Sequence, residues 1–200
     1  MKKKFLSASM NLIKKYDKYD KEQLEIIAYG LEAIYLTFTK LVVILLVAFS
    51  LRIFKEIILL LISYNIIRSQ AFGIHANKSI YCLISSLIMF VGGAFVCKFF
   101  ILPFELIFSL SIVCNVCLLL YAPADTYKRP LVNKKKRGKF KLLSCLFGII
   151  YTVLIIIFKD NFIVNYLLVG MIEAVIMILP ITYKVFKLPY NNYKSYNRGV

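Results

Sequence analysis

The chain has 200 residues, of which 60% are hydrophobic, a formal net charge of +16 and five cysteines. This apolar content exceeds what one water-soluble core of that size can bury, which excludes an ordinary soluble domain and favours the bilayer as solvent. The positive charges form blocks between apolar segments, a pattern that argues against nucleic acid as a partner. An odd number of cysteines, most of them within apolar runs, argues against a disulfide framework.

The order of apolar and polar segments predicts an all-α, polytopic membrane protein with one domain, residues 1–200, and about six transmembrane helices. Residues 1–30 are lysine-rich and weakly amphipathic, which predicts a basic helix lying on the membrane surface. The predicted spans cover residues 33–51, 57–67, 80–102, 104–121, 142–158 and 162–183. The second span is short enough to be tilted or re-entrant. Two polar loops, residues 68–79 and 122–141, separate spans.

Lysine and arginine are distributed unevenly between the two sides of this six-span arrangement. The amino-terminal segment, the two polar loops and the carboxyl-terminal tail hold 21 of them, whereas the opposite side holds four. Because short cytoplasmic loops retain positive charge, this asymmetry predicts a cell-membrane protein with both termini and both polar loops in the cytoplasm.

The first polar loop contains the only histidine, His75, which lies seven residues before Cys82. A thiol becomes a strong nucleophile as its thiolate, and histidine is the usual base. On one continuous helix, seven residues rise about 10 Å, too far for contact between the two side chains. A helix must therefore start between them, and Ser79 is a suitable N-cap. Taken alone, such a pair is more often a chance neighbour than a catalytic dyad.

Cys82 would then lie in the first turn of a helix at the membrane surface, where free N–H groups and the helix dipole favour a thiolate. Gly73 would let the preceding loop fold back towards the sulfur. Ser86, four residues after Cys82, would share its helix face and either orient a reacting group or bond the previous turn.

Two motifs in order carry a resemblance to a known family. The first motif consists of Arg68, Gly73, His75, Ala76 and Cys82. The second is residues 121–130, YAPADTYKRP. Together they resemble the AgrB family, accessory gene regulator protein B, and the resemblance covers most of the chain. One departure is Phe72, which stands where the family pattern has a second glycine beside Gly73 and which bears on the conformation of the loop.

The resemblance implies a membrane cysteine endopeptidase of quorum sensing, with His75 as general base and Cys82 as nucleophile. The implied substrate is a short AgrD-like propeptide with an amphipathic leader, a central signal sequence and an acidic tail. Cleavage would pass through an acyl-enzyme thioester on Cys82, and closure of a thiolactone or lactone ring would give a secreted autoinducing peptide. The active site would face the cytoplasm. The lipid bilayer is the other expected partner, and a homodimer suits so small an enzyme.

Further positions have both a structural and a functional interpretation. Arg68 could bind a substrate carboxylate, buttress the loop or flank a span as an ordinary positive residue. Asp125 could orient His75 as the third member of a triad, or serve a local turn and ion pair. A basic cluster could hold the acidic tail of the substrate, or only set topology and attract anionic lipid. That basic cluster comprises the six positive charges within residues 134–141 and begins with Lys134, Lys135 and Lys136.

Two other functions compete with the peptidase. Cys114 and Cys117 form a Cys-x-x-Cys motif, which could serve a membrane thiol oxidoreductase, although helix-packing cysteines are the better explanation in an apolar run. Lys40 and Glu173 are ionisable residues within apolar spans, which could serve a small transporter. One histidine and dispersed cysteines do not make a metal site, and we expect no cofactor.

Overall fold

The fold is helical throughout the part of the chain that the structure describes. A computed structural model describes residues 2–15, 20–74, 79–100, 102–126 and 130–196. These residues contain no β-strand, and an isolated bridge joins Phe72 to Ala124 in parallel. The chain divides into two compact units, residues 1–51 and 52–200.

The first unit consists of two helices, α1 (Lys2–Lys14) and α2 (Lys21–Ser50). Asp20 caps α2: its carboxylate accepts a hydrogen bond from the Gln23 amide at 2.7 Å, and the Gln23 side chain accepts one from the Asp20 amide at 3.2 Å. This capping box starts the helix early, because it satisfies free donors of the first turn. The segment predicted as one interfacial helix, residues 1–30, is therefore α1 together with the first turns of α2.

The second unit contains the remaining helices of the described chain. They are α3 (Phe54–Ala71), α4 (Ser79–Phe99), α5 (Phe104–Tyr121), α6 (Lys134–Ile157), α7 (Ile163–Ile176), α8 (Pro180–Val185) and α9 (Tyr193–Tyr196). Among the described residues of both units, four helices are long and apolar enough to cross a membrane, namely α2, α4, α5 and α6. The predicted all-α membrane fold is confirmed.

Helices α3 and α7 form the centre of the second unit. Helix α3 packs against α4, α6 and α7, and α7 also contacts α4, α5 and α6. The two central helices approach closely at Gly170, where an added Cβ would lie 2.7 Å from the Ser63 Cβ and 2.8 Å from the Tyr64 amide nitrogen. A glycine at such a crossing lets two helix backbones come together inside a membrane protein. By contrast, α4, α5 and α6 carry many exposed apolar side chains.

Several helix boundaries differ from the prediction. The second span, predicted for residues 57–67, is the 18-residue helix α3, whose last turn includes Arg68. The last span, predicted for residues 162–183, is broken between α7 and α8 at Pro180. Proline lacks an amide hydrogen and disfavours helical conformation in the residue before it, so the continuous apolar run conceals a helix end. The Thr182 hydroxyl donates to the Ile176 carbonyl oxygen at 2.6 Å across this break.

Helix α6 begins inside the segment predicted as the second polar loop, residues 122–141. Its N-cap is Asn133, whose side-chain oxygen accepts a hydrogen bond from the Lys136 amide at 3.1 Å. The basic cluster is therefore helical. The Asn133 cap satisfies one free donor, which allows the helix to start among the lysines.

Candidate functional site

The turn after α3 is tied to two other parts of the second unit through its backbone. The Gly73 amide donates to the Ala124 carbonyl oxygen at 2.8 Å, and the Ala124 amide donates to the Ala71 carbonyl oxygen at 2.9 Å. The Ile74 amide donates to the Met177 carbonyl oxygen at 3.0 Å, just beyond the end of α7. These bonds hold the start of the first polar loop against both the segment after α5 and the break after α7.

Gly73 fits this turn because it lacks a side chain. Its φ is +109°, a left-handed conformation that residues with a Cβ rarely adopt. A Cβ at this position would also collide with Nη1 of Arg68 and with the Met177 carbonyl group. Backbone conformation and space therefore both require glycine here.

Arg68 supports the same turn from the last turn of α3. Its Nη2 donates to the Ile74 carbonyl oxygen at 2.6 Å, and its guanidinium lies against Gly73. Nη1 is buried and has no hydrogen-bond partner among the described residues. Arg68 thus holds the turn through its guanidinium, and binding of a substrate carboxylate by Arg68 stays a prediction.

Phe72, the departure from the family pattern, has a φ of +58° and a ψ of −132°. A phenylalanine in this left-handed conformation stores strain that a glycine would not. Its ring packs edge-to-face on Phe140 of α6, with 4.9 Å between ring centroids. That aromatic contact offsets part of the backbone cost.

Cys82 lies in the first turn of α4, as the sequence predicts, and its side chain is half-buried. The Ser85 hydroxyl donates to the Cys82 carbonyl oxygen at 3.2 Å. Ser86 lies one turn further along α4. His75 falls outside the described residues, so its contact with Cys82 stays a prediction.

Tyr64 is a residue of this region that the sequence analysis missed. Its ring packs edge-to-face on Phe90 of α4, with 5.2 Å between ring centroids, and its hydroxyl group lies beside the Arg68 guanidinium. Tyr64 therefore links the Arg68 end of α3 to the middle of α4. Its position four residues before Arg68, on the same helix face, is the signal that could have indicated it.

Asp125 is buried, with 3% of its surface exposed. Its carboxylate accepts hydrogen bonds from the amides of Leu131 at 3.2 Å, Asn192 at 2.9 Å and Tyr193 at 2.8 Å. Its carbonyl oxygen accepts a hydrogen bond from the Tyr183 hydroxyl at 2.9 Å. A carboxylate with this many donors ties the second polar loop to the carboxyl-terminal tail. A role for Asp125 in orienting His75 stays a prediction.

The first three side chains of the basic cluster are solvent-exposed. Lys134, Lys135 and Lys136 occupy the first turn of α6, which contains no acidic residue. Positive charge at a helix N-terminus is unfavourable because the dipole is positive there. An anionic partner or membrane surface would compensate for this arrangement.

The cysteines of the oxidoreductase hypothesis and the charged residues of the transporter hypothesis all lie on helices. Cys114 is buried in the core of the second unit, Cys117 packs against the same core, and neither forms a disulfide. Burial of this kind matches helix packing better than thiol exchange, which needs an accessible sulfur. Lys40 lies on α2 in the first unit, and Glu173 lies on α7 in the second with 6% of its surface exposed.

Comparison with known proteins identifies a family. The sequence profile of Accessory gene regulator B matches residues 7–179. A Putative AgrB-like protein of Clostridium acetobutylicum is 36% identical over 171 residues, which cover 86% of this chain and 82% of that protein. The Putative AgrB-like protein of Listeria innocua is 29% identical over 90% of this chain and 88% of its own length. The Accessory gene regulator protein B of Staphylococcus aureus is 31% identical over 84% of this chain and 89% of its own length. No solved structure matches.

Proposed function

Because the chain belongs to the Accessory gene regulator B family of quorum sensing, we propose that it is a membrane cysteine endopeptidase acting on an AgrD-like propeptide. In this proposal the enzyme removes the acidic tail of the propeptide and promotes cyclisation of the remaining signal sequence. Catalysis takes place at the cytoplasmic face of the cell membrane.

The placement of Cys82 carries the proposal. This thiol lies in the first turn of α4, where the chain leaves the first polar loop. The other end of that loop is held by the backbone bonds of Gly73 and Ile74 and by the Arg68 guanidinium. A reacting group needs such a rigid support, since small displacements reduce rates strongly.

The first chemical step forms an acyl-enzyme. His75 accepts the proton of the Cys82 thiol, and the sulfur attacks the carbonyl carbon at the end of the signal sequence. The peptide bond to the tail breaks, and the imidazolium of His75 returns the proton to the leaving amine. The signal sequence, still joined to its leader, is then held as a thioester on Cys82.

The second step closes the ring. An internal cysteine or serine of the peptide attacks the thioester carbonyl, and its proton passes to His75 as the Cys82 sulfur leaves. When the attacking group is a thiol, one thioester replaces another at little free-energy cost. The free energy of hydrolysis of the acyl-enzyme thioester is therefore retained in the ring. Water would hydrolyse the thioester, so the site must shield it.

Other residues have supporting roles in the proposal. Arg68 and Gly73 position the loop that carries His75. Lys134, Lys135 and Lys136 attract the acidic tail of the propeptide at the membrane face, by an attraction that salt screens beyond about 8 Å. Asp125 holds the second polar loop in place.

Cleavage by single variants tests the proposal. Cys82→Ser and His75→Ala should each abolish tail release from a co-expressed AgrD-like propeptide, with the amount of protein in the membrane unchanged. Simultaneous replacement of the other cysteines is the matched control and should leave substantial activity, because these thiols take no part in the chemistry. They are Cys97, Cys114, Cys117 and Cys145. Tail release by a Cys82→Ser enzyme would contradict the assignment of Cys82 as the nucleophile.

A further inference from the structure

A cavity of about 350 Å³ lies where α5 ends, α6 begins and the carboxyl-terminal tail folds back. Its described lining includes Leu120, Arg137, Lys141, Tyr190 and Tyr193. Its described lining includes no residue of the turn at residues 68–74 and none of the residues assigned to the peptidase reaction. Its lining residues from the tail, Tyr190, Asn191 and Tyr193, lie beyond the part of the chain that matches the family profile, residues 7–179.

The polar groups of this cavity suit an anion. Arg137 stacks on the Tyr193 ring, with its guanidinium carbon 3.7 Å from the ring centroid. Stacking uses the face of the guanidinium, and the buried Nη1 at its edge has no hydrogen-bond partner among the described residues. Lys141 lies one helical turn further along α6, and the described lining includes no carboxylate. Tyr190 adds a phenol hydroxyl to the lining, which is a hydrogen-bond donor at neutral pH.

On its apolar side, the cavity is continuous with a row of exposed apolar side chains on α5. Leu120 lines the cavity although 62% of its surface is exposed. Val113 and Val116 share a face of α5 with it, and both are exposed. This apolar stripe runs from the cavity along a helix that is long enough to cross the membrane. An anion with an attached hydrocarbon chain would contact both the donors and the stripe.

We propose that this cavity binds the phosphate group of an anionic glycerophospholipid, with Arg137 and Lys141 as its cationic ligands and an acyl chain along Val113, Val116 and Leu120. Basic pockets between transmembrane helices bind anionic headgroups in this way. The bound lipid bridges α5, α6 and the carboxyl-terminal tail. An acidic peptide would satisfy the donors but would leave the exposed stripe unused, and free phosphate would do the same.

Native mass spectrometry of the purified full chain in a non-ionic detergent tests the proposal. Dioleoyl phosphatidylglycerol is titrated against dioleoyl phosphatidylcholine, whose acyl chains are identical and whose headgroup is neutral overall. One phosphatidylglycerol should bind at least about tenfold more tightly than phosphatidylcholine. Arg137→Gln should remove this preference. Lys135→Gln is the matched control, because it removes one exposed charge from the same helix outside the cavity and should keep the preference.

A second variant and two competitors distinguish loss of the lipid site from misfolding and from binding of a free anion. Lys141→Gln changes an exposed side chain, and it should weaken phosphatidylglycerol binding several-fold even if Arg137→Gln does not fold. Inorganic phosphate and a glutamate-rich peptide are added as competitors, and neither should displace the lipid. Displacement by either would show that the site takes a free anion. An unchanged lipid preference in Lys141→Gln and in any folded Arg137→Gln protein would overturn the site.

Discussion

The turn at residues 68–74 and the start of α6 at residues 134–141 are both candidate parts of the site, and they are held in opposite ways. In the turn, backbone amides and the Arg68 guanidinium bind specific carbonyl groups, and Gly73 has no room for a side chain. The start of α6 has six positive charges in eight residues, and most of their side chains are exposed.

This difference predicts two kinds of response to mutation. Function that depends on the turn should depend on atomic positions, so it should be sensitive to small changes in volume and insensitive to salt. Function that depends on the start of α6 should depend on total charge, so it should change gradually and be screened by salt. The following experiments test this contrast, in order of decreasing expected effect.

Gly73→Ala should have the largest effect. Alanine at a φ of +109° is strained and collides with the Met177 carbonyl group, which should destabilise the turn by about 2–4 kcal/mol. Displacement of the loop should reduce propeptide cleavage about 100-fold. Gly138→Ala in α6 is the matched control, because an added Cβ there meets no atom within 4 Å. Equal activity of the two variants would show that the turn needs no defined geometry.

Arg68→Lys should have the next largest effect, although it keeps the charge. A lysine cannot reproduce the guanidinium fork that reaches the Ile74 carbonyl oxygen at 2.6 Å. Loss of this charge-assisted hydrogen bond should reduce turnover about tenfold or more, with the same reduction at low and high salt. Cleavage rates at saturating propeptide measure this. A purely ionic role would instead leave the Arg68→Lys enzyme close to wild type.

Neutralising Lys134, Lys135 and Lys136 to glutamine should have a smaller effect of a different kind. The apparent affinity for the propeptide should fall about fivefold at low salt, and turnover at saturation should change little. The dependence of affinity on ionic strength should become flatter than in the wild type. Cleavage assays in detergent over a range of salt concentrations measure both quantities.

The control for that triple variant removes the same charge elsewhere. Glutamine replaces three exposed lysines near the carboxyl terminus, Lys184, Lys187 and Lys194. If the two triple variants lose affinity equally, the propeptide responds to net charge alone and the start of α6 has no special role. Topology is checked in both variants, because positive charge also sets orientation.

Phe72→Gly should have the smallest effect. Glycine relieves about 1–3 kcal/mol of backbone strain at a φ of +58° and a ψ of −132°, but it removes an edge-to-face contact with Phe140 worth about 0.5–1.5 kcal/mol beyond the apolar area that the ring buries. The thermal stability of the purified chain should therefore change little. Phe140→Ala, which removes the same ring contact and relieves no strain, should be clearly less stable. A large loss of stability in Phe72→Gly would mean that Phe72 is not strained.

Hydropathy predicted the helices whose ends coincide with a change of composition. Helix α5 was predicted with its observed bounds, because Pro103 precedes its apolar run and Pro123 follows it closely. The break before Pro180 was missed because the residues on both sides of it are apolar. The early start of α2 was missed because it depends on hydrogen bonds between Asp20 and Gln23.

The sequence could indicate residues of the candidate site only where the side chain, and not the backbone, makes the contact. Arg68, Gly73 and Cys82 belong to a recognisable motif, and the structure places the first two together in one turn. Met177 holds this turn through its carbonyl oxygen, which any residue would supply, so its identity gives no signal. Asn192 and Tyr193 reach Asp125 across more than 60 residues of sequence, through backbone amides that no local pattern indicates.

Trapping the acyl-enzyme tests the central proposal most directly. A propeptide whose ring-closing cysteine or serine is changed to alanine can be cleaved but cannot cyclise, so the thioester should accumulate on the enzyme. Intact mass spectrometry should show the added mass of the leader and signal sequence together, and peptide mapping should place this adduct on Cys82 in a hydroxylamine-sensitive bond. His75→Ala should form no adduct. Tail release without an adduct, or an adduct on another cysteine, would contradict Cys82 as the nucleophile.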